Sequence, residues 1–204
     1  MEDHTKKTGI MGGTFNPIHI GHLLLAETAR DMLCLDEILF IPSGYSYMKE
    51  TSEIADKRMR LAMTALAIED NPAFKLSSIE VEREGNTYTS ETLLILRNRE
   101  PDTEFYFIAG ADSLFDLETW KDPQIIFDNC IVLAAVREGR GKEDLEKQIE
   151  YLEKKFAARI ILLPLKEIAV SSTDIRNKRK LNRSIRYMVP DKVIDYMEEN
   201  HLYY

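Results

Sequence analysis

Residues 9–22 read GIMGGTFNPIHIGH. This stretch begins as a short apolar strand, breaks at Gly12 and Gly13, and passes into residues 20–33, whose apolar side chains can share one helical face. Two glycines without Cβ atoms let backbone N–H groups approach a ligand closely, and a helix that starts beside them points its positive end at the same place. The sequence therefore predicts a strand, a glycine turn and a helix that together bind a phosphate group.

Two histidines stand at the entrance of this helix. His19 and His22 are three residues apart, so both can face an anion, and imidazole can donate a hydrogen bond to a phosphoryl oxygen. The stretch is neither the dinucleotide fingerprint G-x-G-x-x-G nor a Walker loop, which would end in Gly-Lys-Ser or Gly-Lys-Thr. The simpler alternative is a tight βα turn whose histidines have no role in binding. We would favour it for a single histidine, but not for two histidines at a fixed spacing from the glycines and the proline.

Length and composition indicate an ordinary globular protein. The chain has 204 residues, 44% hydrophobic and 30% charged, and we expect one domain over 1–204 with a helical C-terminal part at about 171–204. Its net charge of −8 argues against general nucleic-acid binding. The polar N-terminus and the lack of a long apolar run predict a cytoplasmic protein without membrane contact. Cys34 and Cys130 lie beside apolar residues, and we expect both to be buried free thiols.

Predicted strands alternate with predicted helices along the chain. The strands are expected at 8–11, 37–42, 74–82 (one strand or a pair), 104–109, 130–136 and 159–163. The helices are expected at 20–33, 56–70, 91–98, 123–127, 142–156, 171–180 and 190–200. This order predicts an α/β fold with a Rossmann-like, doubly wound parallel sheet and helices on both faces. Polar clusters follow three strands, at His19 and His22, at 110–112 and at Arg137, and we expect one shared site there. The polar loop at 43–54 is long enough to be functional.

A second anion-binding stretch is expected near the C-terminus. Residues 171–176 read SSTDIR, and Ser171 with Asp174 three residues later resembles a capping box, which is the simpler interpretation. Hydroxyl groups and N–H groups at a helix start can also bind a phosphate, with Arg176 as a clamp. The basic residues that follow favour an anionic ligand in a chain of acidic balance; they are Arg176, Lys178, Arg179, Lys180, Arg183 and Arg186.

These stretches resemble the two signatures of the nucleotidylyltransferase superfamily. Residues 13–22 resemble T/HxGH, and VSSTDIR at 170–176 resembles ISSTxIR. The chain is most similar to the bacterial nicotinate-nucleotide adenylyltransferase family, which carries GGTFDPIHxGH, a Tyr-Thr step before a helix, GADSLxxLxxW, a strand closing in RPG, and ISSTxIR. The departures are Asn16 for an aspartate, SYMK at 46–49 for Pro-Pro-His-Lys, Glu138 for a proline, and Asn182 for a glycine, which a left-handed turn would tolerate.

The resemblance implies transfer of AMP from ATP to nicotinate mononucleotide, giving deamido-NAD and pyrophosphate, with Mg²⁺ on the ATP phosphates and no metal ligand from the protein. It implies catalytic roles for His19, His22 and Arg176. The ATP-binding residues that it implies are Gly12, Gly13, Thr14, Phe15, His19, His22, Lys49, Ser172, Thr173 and Arg176. The residues that it implies for nicotinate mononucleotide are Tyr88, Thr89, Gly110, Asp112, Trp120 and Arg137. A helix start at Thr89 favours the anionic nicotinate over the neutral nicotinamide.

Other interpretations keep part of this chemistry. The acceptor could be phosphopantetheine, FMN or a cytidylyl acceptor, although Tyr88, Thr89 and the stretch 112–120 argue against these. A class I aminoacyl-tRNA synthetase fragment shares His-x-Gly-His, but no anticodon-like module is evident. A non-catalytic module that senses adenine nucleotide would use the same loop. Trp120 is the single tryptophan, and it is either a core aromatic or a platform for a flat heterocycle. The sequence does not specify an oligomeric state, and a homo-oligomer is compatible with it.

Overall fold

The computed structural model describes residues 5–45, 54–137, 142–165 and 169–204. In these ranges there are six strands: β1 Lys7–Gly13, β2 Glu37–Pro42, β3 Phe74–Leu76, β4 Glu104–Gly110, β5 Ile131–Arg137 and β6 Ile160–Leu165. The α-helices of the same ranges are α1 Ile20–Leu33, α2 Lys57–Ile68, α3 Thr89–Arg99, α4 Ala111–Asp116, α5 Pro123–Asn129, α6 Lys142–Phe156, α7 Ser172–Lys180 and α8 Asp191–Glu199. A short 3₁₀ helix, Leu117–Thr119, follows α4.

The strands form one sheet in the order β3-β2-β1-β4-β5-β6. Strands β1 and β4, β4 and β5, and β5 and β6 pair in parallel, with Ile10 opposite Phe107 and Ala109 opposite Ala134. The runs FYFIA of β4 and IVLAA of β5 are buried throughout, as expected of strands covered by helices on both faces. The fold is the Rossmann-like, doubly wound α/β fold that the sequence predicts, and the strand order reverses beside β1, where such folds bind ligands.

Several strands differ from the sequence prediction by one or two residues at an end, and two of the differences are informative. Strand β1 continues through Gly12 and Gly13 rather than breaking there. Strand β3 covers only Phe74–Leu76, whereas the sequence predicts a strand or strand pair over 74–82. Ile79 and Val81 are buried, each 6% exposed, but they lie in turns, and the Glu82 N–H donates to the carbonyl of Ser78. The alternation therefore reports burial of these side chains and not an extended backbone.

The cysteine prediction was half wrong. Cys130 is buried, and burial raises the pKa of its thiol to about 12. Cys34 is exposed; it follows α1 in a left-handed turn at a φ of 50°. Asn182 also has a φ of 50°, so it adopts the left-handed turn expected of a residue that replaces glycine.

The chain divides into two compact units, the first of which consists of Met1–Gly12, Ala26–Ile38 and Tyr88–Glu167. Its interior contains Phe105 of β4 and Leu133 of β5, with Leu114, Leu117 and Ile126 from the helical segments that follow β4. Helix α3 packs on α5, and α4 packs on α6. No helix in the described ranges is both long and apolar enough to cross a membrane.

The second unit consists of Gly13–Leu25, Leu39–Thr87 and Ile168–Tyr204. Helices α2 and α8 pack together in it, and they bury Met63, Val193 and Met197 completely. The rings of Phe40 and Phe74 lie 5.0 Å apart. This unit contains residues 13–22 and 171–176, most of the two stretches that the sequence predicts to bind a triphosphate. That the chain is a single domain over 1–204 stays a prediction.

Candidate active site

The turn after β1 is shaped by the ring of Phe15. Phe15 has a φ of 48°, in the left-handed region that bulky residues rarely adopt, and only 2% of its surface is exposed. Its ring meets the ring of His22 edge-on, with the centroids 5.0 Å apart. A Cβ atom on Gly13 would lie 3.0 Å from Phe15 Cε1, so glycine at this position leaves room for the ring. Phe15 therefore supports His22 from one side.

The two histidines of the motif stack on each other. The ring centroids of His19 and His22 are 3.7 Å apart, with 29° between the ring planes. The imidazole of His19 is only 7% exposed, and a Cβ atom on Gly21 would lie 3.0 Å from its Nδ1. The glycine of the x-Gly-His pattern is thus explained by the close approach of the His19 ring to the helix.

Hydrogen bonding defines the tautomer of His22. The backbone N–H of His19 donates to Nδ1 of His22 at 3.2 Å. A nitrogen that accepts a hydrogen bond carries no proton, so in the neutral ring the proton lies on Nε2. Half-buried His22 therefore has a donor nitrogen, which is the group that a phosphoryl oxygen needs.

His19 is neutral at physiological pH. Burial lowers the pKa of its imidazole to about 4, because a charged ring would lose its hydration. Its Nδ1 is buried and forms no hydrogen bond within the described ranges. His19 is thus an uncharged packing partner for His22.

The start of α7 lies on the loop that precedes the histidines. The hydroxyl of Ser172 donates to the carbonyl of Pro17 at 2.8 Å, and Nη1 of Arg176 donates to the carbonyl of Asn16 at 3.0 Å. The second guanidinium nitrogen, Nη2, lies 3.4 Å from the hydroxyl of Thr173. The two predicted anion-binding stretches, more than 150 residues apart in sequence, are therefore joined by direct hydrogen bonds.

The capping interpretation of Ser171 is confirmed. Ser171 is the N-cap of α7, and its hydroxyl accepts from the backbone N–H of Asp174 at 3.1 Å. The Ser171 hydroxyl and the Asp174 carboxylate are 2.7 Å apart. Capping uses Ser171 and leaves the positive end of the helix next to Ser172 and Thr173.

Arg60, which was not predicted from the sequence, holds the same loop from within the protein. Arg60 is 2% exposed, and its guanidinium donates to four backbone carbonyls, at Thr14 (2.6 Å), Ser43 (2.7 Å), Gly44 (3.0 Å) and Ala55 (3.0 Å). Burial lowers its pKa, and the carbonyls replace the water that the charge has lost. Arg60 thus fixes the turn after β1 to the end of β2.

A signal for Arg60 is present in the sequence. The buried residues of α2 are Arg60, Met63, Thr64 and Ile68, which follow helical spacing. The arginine lies on the apolar face of the helix, one turn before Met63. A charged residue on such a face needs several hydrogen-bond partners inside the fold.

The basic residues near the C-terminus do not act as one group. Arg179 is buried, forms an ion pair with Glu198 at 3.3 Å, and lies over the ring of Tyr204 at 4.4 Å. It stabilises the packing of α7 on the C-terminal segment, so the prediction that the whole cluster meets an anionic ligand was wrong for this residue. Arg176 donates to Asn16 in the loop between β1 and α1, residues 14–19, which we call the motif loop. Lys180 is exposed.

In the first unit, the predicted acceptor residues Tyr88 and Thr89 lie at the start of α3. Tyr88 is the N-cap and Thr89 the first helical residue. The N–H groups at this position have no acceptor within the helix and lie at its positive end. The ammonium group of Lys121 lies 4.3 Å from the centre of the Tyr88 ring and 2.6 Å from the carboxylate of Glu91. Lys121, which was not predicted from the sequence, thus forms an ion pair with Glu91 beside this helix start.

Trp120 follows the 3₁₀ helix of the first unit. Its ring meets that of Phe107 edge-on, with the centroids 6.1 Å apart, and it is half-buried. Its indole N–H is buried and has no acceptor among the described residues. Trp120 therefore packs on the core through its contact with Phe107, and its ring is not fully enclosed. Its use as a platform for a flat heterocycle stays a prediction.

The remaining predicted residues are placed as follows. Gly110 is the exposed N-cap of α4, and a Cβ atom there would meet nothing within 4 Å. Gly12 is exposed at the end of β1, where a Cβ atom would make only ordinary contact with Phe107, at 3.5 Å. Asp112 lies in α4 and Arg137 ends β5, but the predictions about their side chains lie outside the described structure, as does the whole of Lys49.

This chain is similar to known proteins over nearly its whole length. A family described as cytidylyltransferase-like matches residues 10–178. A probable nicotinate-nucleotide adenylyltransferase of Lachnoclostridium phytofermentans is 46% identical over 198 residues, which cover 97% of this chain and 99% of that protein. A protein of the same name from Clostridium botulinum is 42% identical, covering 97% of this chain and 98% of its own length.

A solved structure shares the fold at low sequence identity. Plasmodium falciparum nicotinic acid mononucleotide adenylyltransferase, complexed with NaAD, superposes with a TM-score of 0.79 at 19% identity, and 97% of each chain is covered. At this identity the likeness concerns the fold alone.

Proposed function

Because this chain belongs to the nicotinate-nucleotide adenylyltransferase family, we propose that it transfers AMP from ATP to nicotinate mononucleotide and releases pyrophosphate, using the residues of its second unit to hold the triphosphate. One observation carries the assignment of the site. The loop before His19 and His22 is bonded to the start of α7 through Pro17 and Asn16. A paired histidine motif and a helix N-terminus with an arginine are thereby brought into one cradle of hydrogen-bond donors.

The chemistry needs alignment and charge neutralisation more than it needs a base. The phosphate of nicotinate mononucleotide attacks the α-phosphorus of ATP; a new P–O bond forms, the bond from the α-phosphorus to the α–β bridging oxygen breaks, and pyrophosphate leaves with the electron pair. The attacking group is already an anion, so no side-chain nucleophile is required. Preorganised donors at the phosphates supply the rate enhancement.

We assign roles in the cradle by charge and position. His22 donates from Nε2 to a phosphoryl oxygen, since its Nδ1 is held by the backbone N–H of His19. Arg176 neutralises charge on the β- and γ-phosphates that leave as pyrophosphate, and the hydroxyl of Thr173 donates to them. Ser172 contributes its backbone N–H at the helix start, because its hydroxyl donates to the carbonyl of Pro17. The N–H groups of residues 12–15 contact the α-phosphate or ribose, and Lys49 reaches a phosphate from the loop at 43–54.

The donor groups of the cradle suit an anion, not a metal ion. They are imidazole, guanidinium and hydroxyl groups, whereas Mg²⁺ prefers carboxylate, phosphate and water oxygens. Across the described ranges there is no group of three or more His, Cys, Asp and Glu side chains that could hold a metal ion. Nucleotidyltransferases of this kind typically need a divalent metal, and we propose Mg²⁺, held by ATP oxygens and water, where it neutralises phosphate charge.

The acceptor residues of the first unit favour a carboxylate. The N–H groups at the start of α3 attract the nicotinate carboxylate, whereas the amide of nicotinamide carries no charge. The ring of Trp120 stacks on the pyridine ring, Asp112 binds the ribose, and Gly110 leaves room beside it. Arg137 is assigned to the mononucleotide on family resemblance alone.

The test is pyrophosphate release from ATP upon addition of an acceptor in the presence of Mg²⁺. We expect release with nicotinate mononucleotide, kcat/KM at least about tenfold lower with nicotinamide mononucleotide, because one charge-assisted contact is lost, and none with phosphopantetheine or FMN. Omission of the metal should abolish release. Equal use of the two mononucleotides would contradict the role of α3. ATP binding without release for any acceptor would favour a non-catalytic nucleotide sensor.

A further inference from the structure

The C-terminal tail reaches the motif loop at a single side chain. The hydroxyl of Tyr203 donates to Oδ1 of Asn16 at 2.6 Å, across 187 residues of sequence. The same oxygen accepts from the backbone N–H of Ala55 at 3.0 Å. Asn16 is 6% exposed, so both hydrogen bonds lie away from bulk water, where leaving a partner unsatisfied is costly.

Asn16 links this contact to the cradle. Its carbonyl accepts from Arg176, as described above, and it lies next to Phe15 and three residues before His19. The side chain of Asn16 is thus held by the tail and by Ala55, and its backbone by α7. A change in the backbone of Asn16 would therefore displace both the carbonyl that Arg176 contacts and the residues that lead into α1.

The backbone of the tail is strained where it places Tyr203. Tyr203 has a φ of 63°, in the left-handed region that a bulky residue adopts only at an energetic cost. Its ring is half-buried, and burial raises the pKa of the hydroxyl, while the guanidinium groups of Arg60 and Arg176 act in the opposite direction. The hydroxyl therefore stays protonated and remains a donor between the two arginines that bond to the motif loop.

The neighbouring tyrosine provides a contrast within the same tail. Tyr204 is 59% exposed, and its hydroxyl meets Arg179, whose ion pair is with Glu198 of α8 and not with the motif loop. The two tyrosines are adjacent in sequence, and they contact different parts of the unit.

We propose that Tyr203 is a positioning residue for the triphosphate site, acting through Asn16 to hold the motif loop in the conformation that binds ATP. The inference rests on the proposed function, because it assigns the motif loop to the triphosphate. Tyr203 itself touches no substrate in this mechanism. Its hydrogen bond fixes Asn16, and Asn16 fixes the turn that presents His22 and receives Arg176.

The test compares Tyr203→Phe with Tyr204→Phe, each of which removes one hydroxyl and keeps the ring. We expect Tyr203→Phe to weaken ATP binding, measured by calorimetry without acceptor, by about five- to tenfold, the size of one net hydrogen bond. kcat/KM for ATP should fall at least as much, and KM for nicotinate mononucleotide should change less than about twofold. Tyr204→Phe should leave all three values unchanged.

Two further variants test the path through Asn16. Asn16→Asp keeps an acceptor oxygen for both donors, and we expect near-normal ATP binding, whereas Asn16→Ala should weaken it. In the double variant of Asn16→Ala with Tyr203→Phe, the second change should add almost nothing, because the two residues act as one unit. Thermal unfolding of each variant separates a local effect from loss of fold.

The outcomes separate this inference from the proposed function. If the wild type releases pyrophosphate and Tyr203→Phe binds ATP normally, or if both tyrosine variants lose affinity equally, Tyr203 is not a positioning residue. Additive losses in the double variant would also overturn the inference. If the wild type neither binds ATP nor releases pyrophosphate, the proposed function itself fails, and this assignment with it.

Discussion

At the scale of single residues, the site depends on which nitrogen of His22 carries the proton. Its Nδ1 accepts from the backbone N–H of His19, so Nε2 is the donor toward a phosphoryl oxygen. Replacement of His22 by Ala should lower kcat by about 10²–10³, as expected when one preorganised donor to the transition state is lost.

Amide variants of His22 test the geometry of that donor. The side-chain nitrogen of glutamine reaches about as far as Nε2, and that of asparagine about as far as Nδ1. We therefore expect His22→Gln to keep more activity than His22→Asn, and His22→Asn to resemble His22→Ala, in steady-state pyrophosphate release. The opposite order for the two amides would contradict the assigned tautomer.

At the scale of secondary structure, the sequence predicts most helices and strands. A regular spacing of apolar residues over a long stretch is compatible with only one of the two. Residues 20–33, 37–42 and 142–156 form the predicted helix, strand and helix with the same bounds. The stretch 74–82 was the exception, since buried Ile79 and Val81 lie in turns. Alternation of apolar residues reports which side chains are buried, and a short stretch can satisfy it without pairing as a strand.

The residues of the candidate site that belong to a sequence motif were predictable, and those that join the site only through tertiary contacts were not. The histidine pair and the start of α7 are recognisable from local patterns, and the structure joins them. Arg60 and Tyr203 contact the motif loop across 46 and 187 residues. No local pattern in a single sequence specifies such partners, although an arginine on the apolar face of α2 indicates that partners must exist.

At the scale of the whole molecule, buried neutral His19 couples folding to pH. Its pKa is about 4 in the folded chain and about 6.5 when unfolded, so the unfolded state binds the extra proton between these values. The stability of the fold should therefore decrease as the pH falls from about 6.5 to about 4, by up to about 3 kcal/mol from this residue.

Urea unfolding of the wild type and of His19→Gln across this pH range isolates the effect. Other titrating groups are common to both proteins and cancel in the difference between their free energies of unfolding. We expect the wild type to lose stability relative to the variant as the pH falls, with no further change below about pH 4. A difference independent of pH would show that His19 is not buried as a neutral ring.

The central claim is that the histidine motif and α7 bind one triphosphate. The most direct measurement is a crystal structure of the protein with a non-hydrolysable ATP analogue, in which the distances from the phosphate oxygens to His22 and Arg176 are determined. The account predicts that Nε2 of His22 and the guanidinium of Arg176 both lie within about 3 Å of oxygens of the same triphosphate. A triphosphate bound to only one of these groups, or on another surface, would contradict it.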